Sequence, residues 1–285
     1  KDFKTLLLTT DFVPTISKIF NVKGKGLIQV PDLQNLYIYE VSPEDVIFMW
    51  KERFGNEVYE VISSFLPVDR DIIDYIAGAP GIADEFMLYV LYEKFSENFY
   101  DYIIWDLPAA GDALKLLWLE KQFYSHLGDA TKMYLRLKGF IKKLKRSGIK
   151  SPLRLIEEWR KLADDILLML TSSNHKAILI TTPDTLSIEV TKRIIKNLEL
   201  FNIEIGGLII NMVWPDSSDI AREFDKRMRV QEKNLRELRK LGNELEIPSI
   251  IVPLLNFDRI SYNILEKIGR EINILYSGNN MDSSL

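Results

Sequence analysis

The chain has 285 residues, 47% apolar and 27% charged, a globular balance with enough length to bury a core unaided. It contains no cysteine, which excludes structural disulfides, thiolate zinc sites and soft-metal capture through sulfur. The net charge of −4 argues against general attraction to nucleic acid or to an anionic membrane, and no apolar run reaches the ~18–20 residues that would span a bilayer.

In chain order, apolar runs of strand length lie at Thr5–Thr9, Leu36–Val41, Tyr102–Trp105, Ala177–Thr181, Leu208–Ile210 and Ser249–Val252. Most end in acidic or turn-forming residues: Asp11, Asp106, Pro183, Asn211 and Pro253. Continuous apolar strands suit a parallel sheet covered on both faces. Helical spacing appears over Ser187–Phe201, Ala221–Leu241 and Asp258–Ile274. The alternation predicts an α/β fold with a doubly wound, mostly parallel sheet. Pro43–Phe99 reads as mostly helical. Gly111–Ser172 reads as a helical insertion carrying the basic run Lys142–Lys150. The expected organisation is a discontinuous α/β domain of residues 1–111 and 173–276, a helical insertion of residues 112–172 and a disordered tail of residues 277–285. The chain opens on Lys1 and runs almost at once into Leu6-Leu7-Leu8, so further sequence is expected upstream.

Ligands of doubly wound folds bind at the carboxyl ends of strands. Asp106 sits at such an end, before the turn Leu107-Pro108-Ala109-Ala110-Gly111-Asp112. A carboxylate there serves Mg²⁺ through a water, or else caps the next helix. Gly111 would let the backbone approach a phosphate. Asp11 could orient or deprotonate an attacking water, or cap a helix starting near Thr15. Asn211 offers a donor and an acceptor that match an adenine edge, or is a turn residue before Pro215. Pro253 and Leu254 could wall a base, or end a core strand. The two histidines, His126 and His175, have no acidic cluster beside them, which disfavours a zinc site or a histidine triad. The apolar residues between Leu114 and Leu144 would line a groove for an apolar helix, or pack helix on helix.

Taken in order, Lys4–Asp11, Ala79–Glu85, Tyr100–Leu117, Thr181–Ser187, Gly206–Val213, Arg229–Glu232 and Val252–Leu255 resemble the arsenite-pump (ArsA) and tail-anchored-protein-targeting ATPases, from about Lys4 to Ile274. The resemblance implies a P-loop NTPase-like fold of the deviant Walker A class, ATP and Mg²⁺ as cofactors, and ATP hydrolysis. It implies a homodimer opened and closed by nucleotide state, an apolar client such as a tail-anchored membrane protein, and a cytoplasmic location. It makes Asp11 the switch I carboxylate positioning water and Asp106 the switch II carboxylate near Mg²⁺. Asn211 would then read adenine, with Pro253 and Leu254 lining the base. The family's P-loop would precede Lys4, and Gly24-Lys25-Gly26 lacks the spacing to replace it. Asp11-Phe12-Val13-Pro14 stands where the family has Asp-Pro-Ala-His, and Asp106–Asp112 where it has Asp-Thr-Ala-Pro-Thr-Gly-His. These departures leave a second reading, a non-catalytic paralogue without a P-loop, acting as a scaffold or partner-binding module.

Overall fold

The computed structural model describes residues 3–11, 15–31, 33–64, 66–107, 127–129, 132, 152–215, 218–255 and 260–279. The protein is α/β, with parallel strands and flanking helices, and divides into two compact units at residues 170 and 171. Each unit contains one sheet.

In the first unit the strands are β1 (Thr5–Thr9), β2 (Gly26–Gln29), β3 (Leu36–Glu40) and β4 (Tyr102–Asp106), in the order β2-β3-β1-β4. β1 is parallel to both neighbours, with Leu8 opposite Tyr39 on one side and Trp105 on the other. Its leucines Leu6 and Leu8 are fully buried. Central placement explains an apolar run without polar alternation. β2, absent from the expected strands, is an antiparallel edge whose Leu27 is exposed. Four residues with so little burial leave almost no periodic signal.

A helical group follows β3: α1 (Ile16–Ile19) precedes it, then come α2 (Pro43–Trp50), a π-turn at Lys51–Gly55, α3 (Asn56–Ser63), α4 (Ile72–Ala77) and α5 (Ile82–Ser96). α2 starts on a capping box. Ser42 Oγ accepts from the Asp45 N–H at 3.2 Å, the Ser42 N–H donates back to Asp45, and Pro43 occupies the first helical position. α5 buries six consecutive residues, Phe86–Leu91, as a helix surrounded by others must. One face is covered by α6 (Pro152–Leu170), which buries Leu155, Ile156, Ala163, Ile166 and Leu170 at helical spacing.

Glu85 of α5 has no hydrogen-bond partner for its carboxylate among the described residues. Burial, and then the neighbouring Asp84 charge, raise its pKa from 4.5 to about 7. An acid whose pKa rises on folding stabilises the folded state below its unfolded pKa, and that contribution is lost as pH climbs through the folded value. Stability relative to a Glu85→Gln variant should therefore fall by roughly 3 kcal/mol between about pH 4.5 and pH 7 and then level off. Parallel urea titrations of the two proteins across that range would measure it.

The second unit holds β5 (Ala177–Thr181), α7 (Thr185–Leu200), β6 (Ile205–Val213), α8 (Ser218–Glu244), β7 (Ser249–Pro253) and α9 (Tyr262–Asn279). Its sheet is all parallel, ordered β5-β6-β7. Ile210 and Leu208 of the central strand are buried. α9 takes in the first three residues of the stretch read as a tail. Most of the expected insertion, including the Leu114–Leu144 apolar stretch, His126 and the Lys142–Lys150 run, lies outside the described residues. No described helix is long and apolar enough to cross a membrane.

Two edge strands carry uncovered apolar faces. On β4, Tyr102 and Ile104 are 57% and 54% exposed; on β5, Ile178 and Ile180 are 53% and 67% exposed. Parallel sheets ordinarily cover such faces.

Candidate functional site

At the carboxyl end of the first sheet, register places Thr9 opposite Asp106. Thr9 Oγ1 donates to Asp106 Oδ2 at 3.0 Å and accepts from the Asp11 N–H at 3.1 Å. One hydroxyl thus ties the two candidate aspartates to a common point. The backbone joins them a second time, because the Thr10 N–H and hydroxyl both donate to the Asp106 carbonyl, at 3.0 and 3.3 Å. Trp105 Nε1 donates to Thr10 Oγ1 at 3.2 Å, holding that hydroxyl in place.

The structure also shows what satisfies the start of α1. The first N–H groups of α1, at Ile16 and Ser17, donate to the Glu40 carboxylate at 3.2 Å each, and the helix has no side-chain cap at Thr15. The orphan donors expected at a helix start are therefore satisfied by Glu40 of β3, 24 and 23 residues away. Glu40 is buried, and the sequence reading missed it. Its strand-end position was visible, but its partners are supplied by a distant turn. Asp106 ends β4 with one carboxylate oxygen engaged by Thr9 and no bond to the other among the described residues. A hard oxygen donor so placed fits a water of a magnesium ion, which holds several waters and accepts carboxylates at its periphery. Gly111 lies outside the described residues.

Asn211, Pro253 and Leu254 come together in the second unit. β6 does not end at Ile210 as expected. It continues to Val213 through an irregularity, with the register shifting between Ile210 and Val213 and Met212 at φ 56°. Asn211 is therefore a bulge residue inside the strand rather than a turn residue before Pro215. Its Oδ1 accepts the Met212 N–H at 2.9 Å, which leaves its amide nitrogen as the group without a bond among the described residues. Pairing resumes at Val213 opposite Pro253, and the Leu254 N–H donates to the Val213 carbonyl at 2.7 Å. Bulges of this kind re-aim side chains near functional sites.

Two further residues hold the loop after β6. Gln231 of α8, buried, accepts the Trp214 N–H at 2.9 Å and donates to the Trp214 carbonyl at 3.1 Å. The Arg227 guanidinium lies 4.5 Å from the centroid of the Trp214 ring. Gln231 belongs to the sequence resemblance, but Trp214 carried no motif. Before α7, Asp184 caps the helix through the Ser187 N–H at 2.9 Å and accepts Thr182 Oγ1 at 2.5 Å. Burial pushes the Asp184 carboxyl up, but the Ser187 and Thr182 hydrogen bonds outweigh it and hold it below the usual aspartate range. Asn234 of α8 donates to the Pro183 carbonyl at 3.1 Å, fixing this loop to the same helix.

Parallel strands whose carboxyl ends carry acidic and amide residues place the chain in the class of α/β folds that bind ligands at strand ends. Comparison with known proteins narrows that class. The family model of the anion-transporting ATPases (ArsA ATPase) matches residues 1–274, and the chain belongs to this family. A protein of Aquifex aeolicus (strain VF5) that bears the name of an arsenical pump-driving ATPase is 27% identical over 94% of this chain and 88% of its own length. The ATPase GET3 of Komagataella phaffii is 22% identical over 94% of this chain and 80% of its own. The ATPase ASNA1 homolog 1 of Paramecium tetraurelia is 24% identical over 88% and 78% respectively. Its relatives are thus ATPases, and membership of the family implies ATP as the ligand class.

Proposed function

We propose that the protein is an ATPase whose nucleotide state switches a homodimer that handles an apolar client, such as a tail-anchored membrane protein. The observation that carries this reading is the Thr9 bridge, which sets the Asp11 and Asp106 loops around one point at a strand terminus. Asp11 is assigned to orient and deprotonate the attacking water, and Asp106 to hold the hydration shell of Mg²⁺. Magnesium, when bound, supplies charge neutralisation at the transferred phosphoryl group. Asn211 is assigned to the adenine edge through its amide, with Pro253 and Leu254 against the base. Gly111 keeps its proposed role beside the phosphate. The domain arrangement expected from the sequence, a discontinuous nucleotide-binding domain of residues 1–111 and 173–276 around an insertion, belongs to the same proposal, as does a cytoplasmic location.

Binding of the phosphates needs a P-loop of the family's kind, and the bare apolar faces of β4 and of β5 each leave room for a further element of such a fold. Tyr102, Ile104, Ile178 and Ile180 support this, since no covered parallel sheet leaves such residues open. The test compares this chain with the intact gene product. Ile104→Ser should change the stability of residues 1–285 by no more than about 0.5 kcal/mol, the range of surface changes. In the intact protein it should cost about 2–4 kcal/mol, as burial of a polar group in a core does. Intact protein that turns over ATP and shows that difference upholds the reading. Intact protein with neither turnover nor a P-loop favours the alternative, a non-catalytic paralogue acting as a scaffold, which the altered Asp11–Pro14 and Asp106–Asp112 segments would suit.

A further inference from the structure

The helical group of the first unit lines a half-open cavity of about 300 Å³ that shares no residue with the strand tips. Its described walls come from α2, the π-turn, α3, α4, α5, α6 and Leu127, and are almost wholly apolar. Among the described residues five aromatic rings line it, those of Trp50, Phe54, Phe86, Tyr89 and Trp159, and the one carboxyl on the wall is that of Glu85. Four of these rings form a connected cluster: Phe54 lies 5.1 Å from Tyr89 and 6.1 Å from Phe86, edge to face, and 6.5 Å from Trp50. Phe54 is carried by the π-turn at Lys51–Gly55. Such turns insert an extra residue into a helix and recur at ligand sites.

Two side-chain polar groups of the lining have hydrogen-bond partners. Trp159 Nε1 donates to Glu57 Oε2 at 2.8 Å. The Tyr89 hydroxyl accepts from Arg53 Nε at 2.9 Å and donates to Glu93. Two groups of the lining have no partner among the described residues: the Trp50 Nε1–H has no hydrogen bond, and the Glu85 carboxylate has neither a hydrogen bond nor an ion pair. A carboxyl group among aromatic walls with no partner is costly unless something supplies one. The missing partner has a definable chemistry. A cation would pair with the carboxylate and gain from the ring quadrupoles, and the same rings already take one: the Arg53 guanidinium sits 4.5 Å from the Phe54 centroid and 5.5 Å from that of Tyr89. An anion would face Glu85 with Asp84, Glu57 and Glu93 nearby on α5 and α3. A neutral apolar molecule would leave the carboxyl as it is.

We infer that this cavity is a binding site for a small hydrophobic amine, whose ammonium group pairs with Glu85 and whose apolar body fills the aromatic chamber. The size follows from the volume. A dry cavity of ~150 Å³ accepts benzene, so twice that space suits about twelve non-hydrogen atoms. The site is separate from the nucleotide reading and does not depend on it. A ligand there would cross-link α2, the π-turn, α5 and α6, the elements that pack around Phe86 and Tyr89.

Three probes of one shape decide the matter: 4-phenylbutylamine, 4-phenylbutanol and 4-phenylbutyrate, titrated calorimetrically into the protein at neutral pH. The amine should bind saturably at one site, at least ten-fold tighter than the alcohol, and the acid should not bind. Glu85→Gln should lower amine affinity at least ten-fold and leave the alcohol unchanged. Ala163→Leu, which fills the chamber from α6, should weaken both amine and alcohol while leaving the circular dichroism spectrum intact. Equal affinities for amine and alcohol, an amine affinity untouched by Glu85→Gln, or no saturable binding of the amine would each overturn the assignment.

Discussion

Replacing Asp11 by asparagine in the intact protein is expected to lower ATP turnover by about 10²–10⁴-fold, the usual yield of a positioned general base, while nucleotide binding persists. Asp11 is exposed at the end of β1, and its backbone N–H, which the substitution keeps, makes the contact to Thr9. Asparagine is isosteric with aspartate, so the variant should keep the fold, which circular dichroism would check. Asp106→Asn should also abolish turnover but for another reason: it removes the negative charge proposed to face the hydration shell of Mg²⁺ and weakens the bond from Thr9. The two variants separate in a magnesium titration. Asp11→Asn should keep the magnesium dependence of nucleotide binding, and Asp106→Asn should flatten it. If single-turnover assays show Asp11→Asn hydrolysing ATP at the parent rate, Asp11 is not the base, and the strand-tip cluster has a structural role only.

Leu8→Ala should be strongly destabilising to the first unit, costing about 3–5 kcal/mol. Leu8 is fully buried in the central strand, between Tyr39 of β3 and Trp105 of β4. Neither neighbour can move into the space without breaking its own ladder. At about 2–4 °C per kcal/mol for a unit of this size, the melting temperature should fall by roughly 6–20 °C. Leu186→Ala is the matched control. Leu186 is 75% exposed on α7, and its truncation should shift stability by no more than about 0.5 kcal/mol. A melting temperature unchanged by Leu8→Ala would mean that β1 is not the spine of the sheet.

The strands that could be read before folding are those whose signal is local. β1 and β5 begin and end where the apolar runs predict, Thr5–Thr9 and Ala177–Thr181, because each run is continuous and turn residues close it. β6 was read short. Asn211 and Met212 look like a strand end, and only the later return of Val213 to pairing with Pro253 carries the strand onward. The same limit applies to the site. Asp106 and Asp11 could be nominated because strand tips bind ligands, but the hydroxyl that unites them belongs to Thr9, one of many threonines in strands. Glu40, Gln231 and Glu85 owe their roles to partners or burial that no sequence window contains. Glu40 meets a helix start 24 residues earlier, Gln231 a loop 17 residues earlier, and Glu85 a chamber assembled from six helical segments.

The Thr9 hydroxyl has one proton to give and a lone pair to offer, and it spends them on opposite loops. Moving either Asp11 N–H or the Asp106 carboxylate away from this oxygen disturbs the geometry of the other bond. Each bond is worth about 0.5–1.5 kcal/mol, so the linkage through this one oxygen amounts to roughly a two- to twelve-fold bias. That is too weak to lock the two strand ends together and strong enough to bias them toward one arrangement. A valine at position 9 keeps the shape and removes this side-chain link, leaving the Thr10 bonds to the Asp106 carbonyl as the remaining tie.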